Sequence, residues 1–189
     1  ADTPLGQLEL QAAWGPGGRL GRWTIANPAV VKLGDTLFVH GGLTAFYAAL
    51  GVEEINRRVA EALSRQAGEP SAIIHDPSGP LWYRGNVLRE GGRQDEAPAA
   101  QPGAMPSTPG PTIEQELDEV LRLTGARRLV VGHTPSRQGI VIGHAGRLVR
   151  VDSAISRAYG GTLSWLEIEG DRLVPRTTER PPLPTGGRR

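Results

Sequence analysis

Two histidines follow short apolar segments, where their side chains could bind a metal ion or a substrate. His40 follows the run TLFV and precedes Gly41 and Gly42, and His133 follows RRLVVG and precedes a Thr-Pro pair. A residue at the carboxyl end of a buried strand lies at the rim of a sheet, where α/β folds bind ligands. Neutral imidazole is the commonest protein ligand of metal ions. Either histidine alone could be purely structural, but their matched settings favour a shared site if the fold brings them together.

Arg84 is a third candidate for binding chemistry. It follows Trp82 and Tyr83 in the segment GPLWYRG, residues 79–85. The planar guanidinium offers a fork of donors that matches phosphate oxygens, and neighbouring aromatic rings can hold it in place. The same segment would also suit a surface arginine beside a core tryptophan. His144 lies in a predicted turn, where we expect it to be solvated.

The apolar pattern predicts the strands that must position these residues. Residues 30–33 and 36–39 are two short apolar runs around a Gly-Asp pair, which indicates a tight hairpin that ends at the first histidine. Residues 127–131 form a short buried strand that leads to the second histidine. Two more hairpins are predicted over 140–151 and 162–174.

Helices are predicted between these strands. Apolar residues at helical spacing indicate an amphipathic helix over 52–63. A second helix begins after Thr112, whose hydroxyl forms a capping box with Gln115, and ends at Gly125. The glycine-rich residues 1–27 are predicted to be loop. Strands and helices that alternate in one short chain indicate a mixed α/β domain.

The composition limits the possible classes of protein. The chain has 189 residues, a formal net charge of +1 and no cysteine. A disulfide scaffold and a thiolate metal site are therefore excluded, and any metal must be bound by His, Asp, Glu or Asn. The near-neutral charge gives no attraction to nucleic acid, and no apolar run approaches a membrane span of about 18 residues. We expect a soluble protein that binds neither nucleic acid nor membrane, with the cytoplasm as the default compartment.

Two segments are too polar and too rich in proline to pack into a core. Residues 91–112 contain five prolines among alanine and glycine, and we expect them to form a flexible insertion. Residues 175–189 are expected to form a disordered tail. The folded domain is therefore predicted to span residues 1–174.

Three segments occur together in a particular order, and their combination resembles a known family. They are LFVHGGL at 37–43, PLWYRG at 80–85 and VVGHTP at 130–135, followed by VDS and YGG at 151–153 and 159–161. This pattern resembles the carboxyl-terminal part of the calcineurin-like metallophosphoesterases of the serine/threonine protein phosphatase superfamily, especially the Shewanella-like branch. The resemblance implies that the fold is part of a metallophosphatase β-sandwich flanked by helices.

The resemblance also implies an activity and a role for each candidate residue. His40 and His133 would be metal ligands, Arg84 would bind the phosphate oxygens as a catalytic group, and Tyr159 would lie near the substrate. Two divalent metal ions (Mn, Fe or Zn) would activate a hydroxide that hydrolyses phosphate monoesters. The substrate would be a protein phosphorylated on Ser, Thr or Tyr, or a small phosphate ester.

The sequence departs from this family in one respect. The motifs GDxHG, GDxxDRG and GNHE, which supply the carboxylate ligands in the amino-terminal half of such proteins, are absent from these 189 residues. We therefore expect a fragment or a truncated form that is inactive alone, because two neutral imidazoles cannot supply the charge of a dinuclear site. A diadenosine-tetraphosphate hydrolase and a non-catalytic phosphate-binding module are the alternatives.

Overall fold

The computed structural model describes residues 4–88, 111–156 and 158–178. Most of the predicted insertion and of the predicted tail lie outside these residues. The described helices are α1 (Gln7–Trp14), α2 (Arg19–Ala26), α3 (Ala45–Leu50), α4 (Val52–Ser64), α5 (Gly85–Leu88) and α6 (Ile113–Thr124). The described strands are β1 (Val30–Leu33), β2 (Thr36–Val39), β3 (Arg128–Val131), β4 (Val141–Gly143), β5 (Leu148–Arg150), β6 (Ser164–Glu169) and β7 (Arg172–Thr177).

Five strands form one mixed sheet in the order β1-β2-β3-β5-β4. The three inner strands β2, β3 and β5 run parallel, and the two outer strands are antiparallel to their neighbours. Residue Val39 pairs with Val131, so β2 and β3 end at the same level of the sheet. Their carboxyl ends therefore meet at one rim, as expected for parallel strands joined by helical crossovers.

The predicted hairpin of β1 and β2 and the predicted ends of α6 are confirmed. Residues 30–33 pair with residues 36–39 in antiparallel register. Helix α6 begins after Thr112, whose hydroxyl accepts from the N–H of Gln115 while the Gln115 side chain accepts from the N–H of Thr112. Gly125 ends the helix in the left-handed conformation, with φ 58°. These features depend on residues close together in sequence.

The prediction that residues 1–27 form a loop is wrong. Helices α1 and α2 occupy most of this segment, and the glycines that suggested a loop lie mainly between them. Gly21 lies within α2, where a Cβ atom would be 2.0 Å from the carbonyl oxygen of Gly15. A glycine at this position therefore allows the connection between the helices to approach α2 closely, and the helix packs against α4.

The core lies between the sheet and the helices α3, α4 and α6. Leu37 and Leu129 are fully buried in the sheet, and Ile55 and Leu117 are fully buried on the helices that cover it. Every residue of β3 is buried, since this strand has neighbours on both sides and covered faces. The predicted fold class, a mixed α/β fold with helices flanking the sheet, is confirmed.

The last two strands form a separate sheet. Strands β6 and β7 pair antiparallel along their whole length, and Ser164 is opposite Thr177. Strand β7 extends three residues into the segment that was predicted as the tail from residue 175. Within the part of the chain that the structure describes, no helix has the length and apolar character needed to cross a membrane.

Candidate active site

The parallel pairing of β2 and β3 brings His40 and His133 together. Their imidazole ring centroids lie 4.9 Å apart, with the rings inclined by 54°. The N–H of Gly132 donates to the carbonyl oxygen of His40 at 2.9 Å, so the backbone pairing continues past the ends of the strands. The two histidines that the sequence placed at separate strand ends thus form one pair at the rim of the sheet.

Gly41 and Gly42 lie in the loop that follows His40, and they allow the segment that contains Arg84 to pack directly against this loop. A Cβ atom at Gly41 would lie 2.9 Å from the carbonyl carbon of Leu81, and one at Gly42 would lie 2.5 Å from the side-chain oxygen of Asn86. Both approaches are too close for any side chain. The N–H of Gly41 also donates to the carbonyl oxygen of Pro80 at 2.8 Å. The close packing of the Arg84 segment against this loop therefore requires glycine at both positions.

His133 has an unusual backbone conformation for a residue other than glycine. Its φ is +62°, in the left-handed region, and the N–H of Thr134 donates to the carbonyl of Gly132 across it at 2.6 Å. Such conformations cost about 1–3 kcal/mol and occur frequently at functional sites. The indole of Trp82 contacts the imidazole in a T-shaped arrangement, with ring centroids 5.6 Å apart and an interplanar angle of 84°. The indole N–H donates to the carbonyl of Ile74, which holds the tryptophan in this position.

The surroundings of His133 favour its neutral form. Burial lowers the pKa of its imidazole, the positive charges of Arg84 and His40 lower the pKa further, and Asp152 opposes them. The Nε2 atom is buried and has no hydrogen-bond partner among the described residues. A neutral imidazole with a free nitrogen is the form that binds metal ions.

The histidine pair therefore fits the metal ligands that the family resemblance implies. The fit extends only to imidazole ligands, since the described residues contain no group of three or more His, Asp or Glu side chains able to hold a metal ion. Asp152 is the acidic residue whose charge acts on His133, and its carboxylate accepts from the N–H of Ala154 at 3.0 Å.

Arg84 and Tyr159 are the other two predicted site residues, and they differ in their relation to the histidine pair. Arg84 is exposed, and its charge acts on His133, so its guanidinium lies on the same side of the molecule as the histidine pair. Tyr159 is 56% exposed in the segment 156–161, and none of the ring contacts among the described residues connects it to the histidine pair. Arg84 is thus near enough for its charge to act on His133, and Tyr159 makes no ring contact with the histidine pair among the described residues.

A buried polar network supports these loops, and no sequence pattern predicted it. The side chain of Asn86 is fully buried; it accepts from the N–H of Leu43 at 2.7 Å and donates to the carbonyl of Leu43 at 3.1 Å. The Glu116 carboxylate on α6 accepts from Asn86 at 3.3 Å and from the hydroxyl of Tyr83. The network therefore connects the histidine loop, the arginine segment and α6. A lone asparagine and glutamate carry no sequence signal for this role.

Two sequence relatives match this chain over most of its length. It is 28% identical over 163 residues to an uncharacterized protein of Schizosaccharomyces pombe, covering 82% of this chain and 43% of that protein. It is also 28% identical over 163 residues to Shewanella-like protein phosphatase 2 of Arabidopsis thaliana, covering 85% of this chain and 37% of that protein. The chain thus spans less than half the length of either relative. No protein-family model matches the sequence.

Solved structures share the fold. The crystal structure of the cold-active protein-tyrosine phosphatase of a psychrophilic Shewanella species superposes with a TM-score of 0.63 at 22% sequence identity. The alignment covers 87% of this chain and 46% of that one, and a point mutant of the same phosphatase gives a TM-score of 0.62. The sequence relatives and the shared fold confirm the resemblance that the motifs indicate: the chain is similar to the Shewanella-like branch of the protein phosphatases.

Proposed function

We propose that this chain forms the carboxyl-terminal part of a metal-dependent phosphatase that hydrolyses phosphate monoesters. The observation that supports this most is the pairing of His40 and His133, with ring centroids 4.9 Å apart beside Arg84. The phosphatases among the relatives and structural neighbours support the same reaction class. The proposed substrates are proteins phosphorylated on Ser, Thr or Tyr and small phosphate esters.

Each residue of the site has a distinct part in this proposal. His40 and His133 hold divalent metal ions, Mn, Fe or Zn, through neutral imidazole nitrogens. Bound metal ions supply Lewis-acid polarisation of the phosphoryl group and of water. Arg84 binds the phosphate oxygens, because an exposed guanidinium presents paired donors that match them. Trp82 covers one side of His133 and limits the access of water to its ring.

The proposal requires carboxylate ligands in addition to the imidazoles of His40 and His133. Two neutral imidazoles bring no negative charge to a pair of divalent ions, and carboxylates commonly supply it in dinuclear sites. We propose that a segment with carboxylate ligands, of the kind found in GDxHG and GDxxDRG motifs, completes the site in the active protein. The 189-residue chain alone is then expected to be inactive as a phosphatase.

The test compares the chain with the protein encoded by the full reading frame. In the presence of Mn²⁺, the longer protein is expected to hydrolyse p-nitrophenyl phosphate, and the 189-residue chain is not. His133→Ala is expected to abolish this activity. The control is His144→Ala, since His144 also has a positive φ but lies in the turn between β4 and β5. Unchanged turnover in His133→Ala, or metal-independent turnover, would contradict the proposal.

A further inference from the structure

We propose that a cavity at the opposite end of β3 from the histidine pair binds a small organic phosphate. The cavity has a volume of about 590 Å³ and lies between the end of α6, the start of β3, the turn before β5 and the β6–β7 turn. Its charged lining consists of Arg122, Arg127, Arg128, Arg147 and Asp171. This site is separate from the proposed phosphatase centre and does not depend on it.

Arg128 is the central observation, because it is a buried cation with neutral partners. Arg128 is only 4% exposed. The guanidinium donates from Nε to the carbonyl of Gly146 at 3.3 Å and from Nη1 to the hydroxyl of Thr36 at 3.1 Å. A guanidinium has five N–H donors, and acceptors among the described residues take up two of those of Arg128. A buried charge is costly unless it is paired, and an anion in the cavity would pair it.

The other arginines of the cavity already have carboxylate partners among the described residues. The pairs are Arg127 with Asp35 and Asp171, Arg147 with Asp118, and Arg122 with Glu119. These pairs are at the surface, and surface ion pairs contribute only about 0–1 kcal/mol. Reorienting one of these arginines toward a bound anion therefore costs little. Among the described residues, the cavity thus combines a cation that has no carboxylate partner, Arg128, with neighbouring cations that can turn toward a ligand.

The geometry points to a phosphate ester more than to a free ion. A planar guanidinium binds phosphate oxygens through parallel hydrogen bonds. The cavity is far larger than inorganic phosphate and falls within the range of about 300–1,000 Å³ that is typical of small-molecule sites. Leu121 and Leu173 give it apolar walls that would contact the organic part of a ligand.

The test titrates the isotopically labelled 189-residue chain with butyl phosphate and with inorganic phosphate, at constant ionic strength set by chloride. Saturable NMR shifts are expected at the amides of residues 145–147 and at the Nε–H of Arg128. Butyl phosphate is expected to bind more tightly than inorganic phosphate, because its alkyl chain reaches the leucine walls. Equal affinities would contradict an organic ligand, and shifts that do not saturate would contradict the site itself.

A pair of variants at Ala145 tests the charge requirement without altering the core. Ala145 is an exposed residue of the lining with φ 55°, a region that Asn and Asp adopt more readily than most residues. Ala145→Asp places a carboxylate in the cavity and is expected to weaken binding at least about tenfold, whereas the uncharged Ala145→Asn stays within about twofold. Equal effects of the two variants, or shifts confined to residues around Arg84, would overturn the proposal.

Discussion

The side chain of Asn86, on the short helix α5, binds both polar backbone atoms of Leu43, in the loop that follows β2. It accepts from the N–H of Leu43 at 2.7 Å and donates to its carbonyl at 3.1 Å. Leu43 follows the loop of His40, and Asn86 follows Arg84 by two positions. One buried amide therefore fixes the relative position of the segment of Arg84, the proposed phosphate-binding residue, and the loop of His40, the first proposed metal ligand.

Asn86→Ala is expected to destabilise the fold by about 2–3 kcal/mol, because it leaves buried backbone groups without partners. It is also expected to weaken Zn²⁺ binding by the histidine pair, measured from the imidazole signals in NMR. Asn56→Ala is the matched control, since Asn56 binds both the N–H and the carbonyl of Val30, on β1, rather than the loop of His40 or the segment of Arg84. The control should lose stability while Zn²⁺ binding is retained. Equal loss of Zn²⁺ binding in both variants would contradict the positioning role.

Gly42→Ala is expected to destabilise the fold by more than about 2 kcal/mol, since overpacking a rigid contact typically costs about 1–3 kcal/mol. The new Cβ atom would lie 2.5 Å from the side-chain oxygen of Asn86 and 2.8 Å from the carbonyl oxygen of Tyr83. Gly68→Ala serves as the control, because no atom lies within 4 Å of a Cβ atom there. Urea denaturation of the two variants measures the difference. Similar stabilities would show that the loops can separate without cost.

Arg84→Ala tests the proposed role of this residue in phosphate binding, in the longer protein that is proposed to be active. Inhibition by inorganic phosphate is expected to weaken about 10- to 100-fold, the loss that corresponds to hydrogen bonds with a charged group. Metal content, measured by mass spectrometry of the purified protein, is expected to remain unchanged. Arg57→Ala, on the exposed face of α4, should alter neither quantity. A loss of metal in Arg84→Ala would assign the arginine to the metal site instead.

Tyr47 is expected to make stability depend on pH in the alkaline range. Burial, together with its hydrogen bond to Asp76 at 2.6 Å, raises the pKa of its hydroxyl from 10.0 to about 12. The folded state therefore holds this proton more tightly, so the contribution is complete below pH 10 and is lost as the pH rises toward 12. The free energy of unfolding should fall by about 2 kcal/mol more in the wild type than in Tyr47→Phe over this interval. A difference that stays constant with pH would contradict the assignment.

Local residue patterns determined several elements correctly. The capping box of Thr112 and Gln115 and the left-handed Gly125 defined both ends of α6 before any tertiary information. The hairpin of β1 and β2 likewise follows from two apolar runs and a Gly-Asp turn. Such features depend on interactions between neighbours in the chain, which a sequence pattern records directly. Helices α1 and α2 were not predicted, because glycine is typical of loops and also of helix positions that a neighbouring backbone approaches closely, such as Gly21.

The sequence by itself determined the types of the site residues: two histidines at strand ends, an arginine beside aromatic residues and an order of motifs that resembles the Shewanella-like phosphatases. Only the tertiary structure decided that the rings of His40 and His133 lie 4.9 Å apart. It also decided that Glu116 is buried beneath the loops and that Arg128 is buried without a carboxylate partner among the described residues. The physical reason is that the parallel pairing of β2 with β3 depends on packing between segments distant in sequence, which no local spacing encodes.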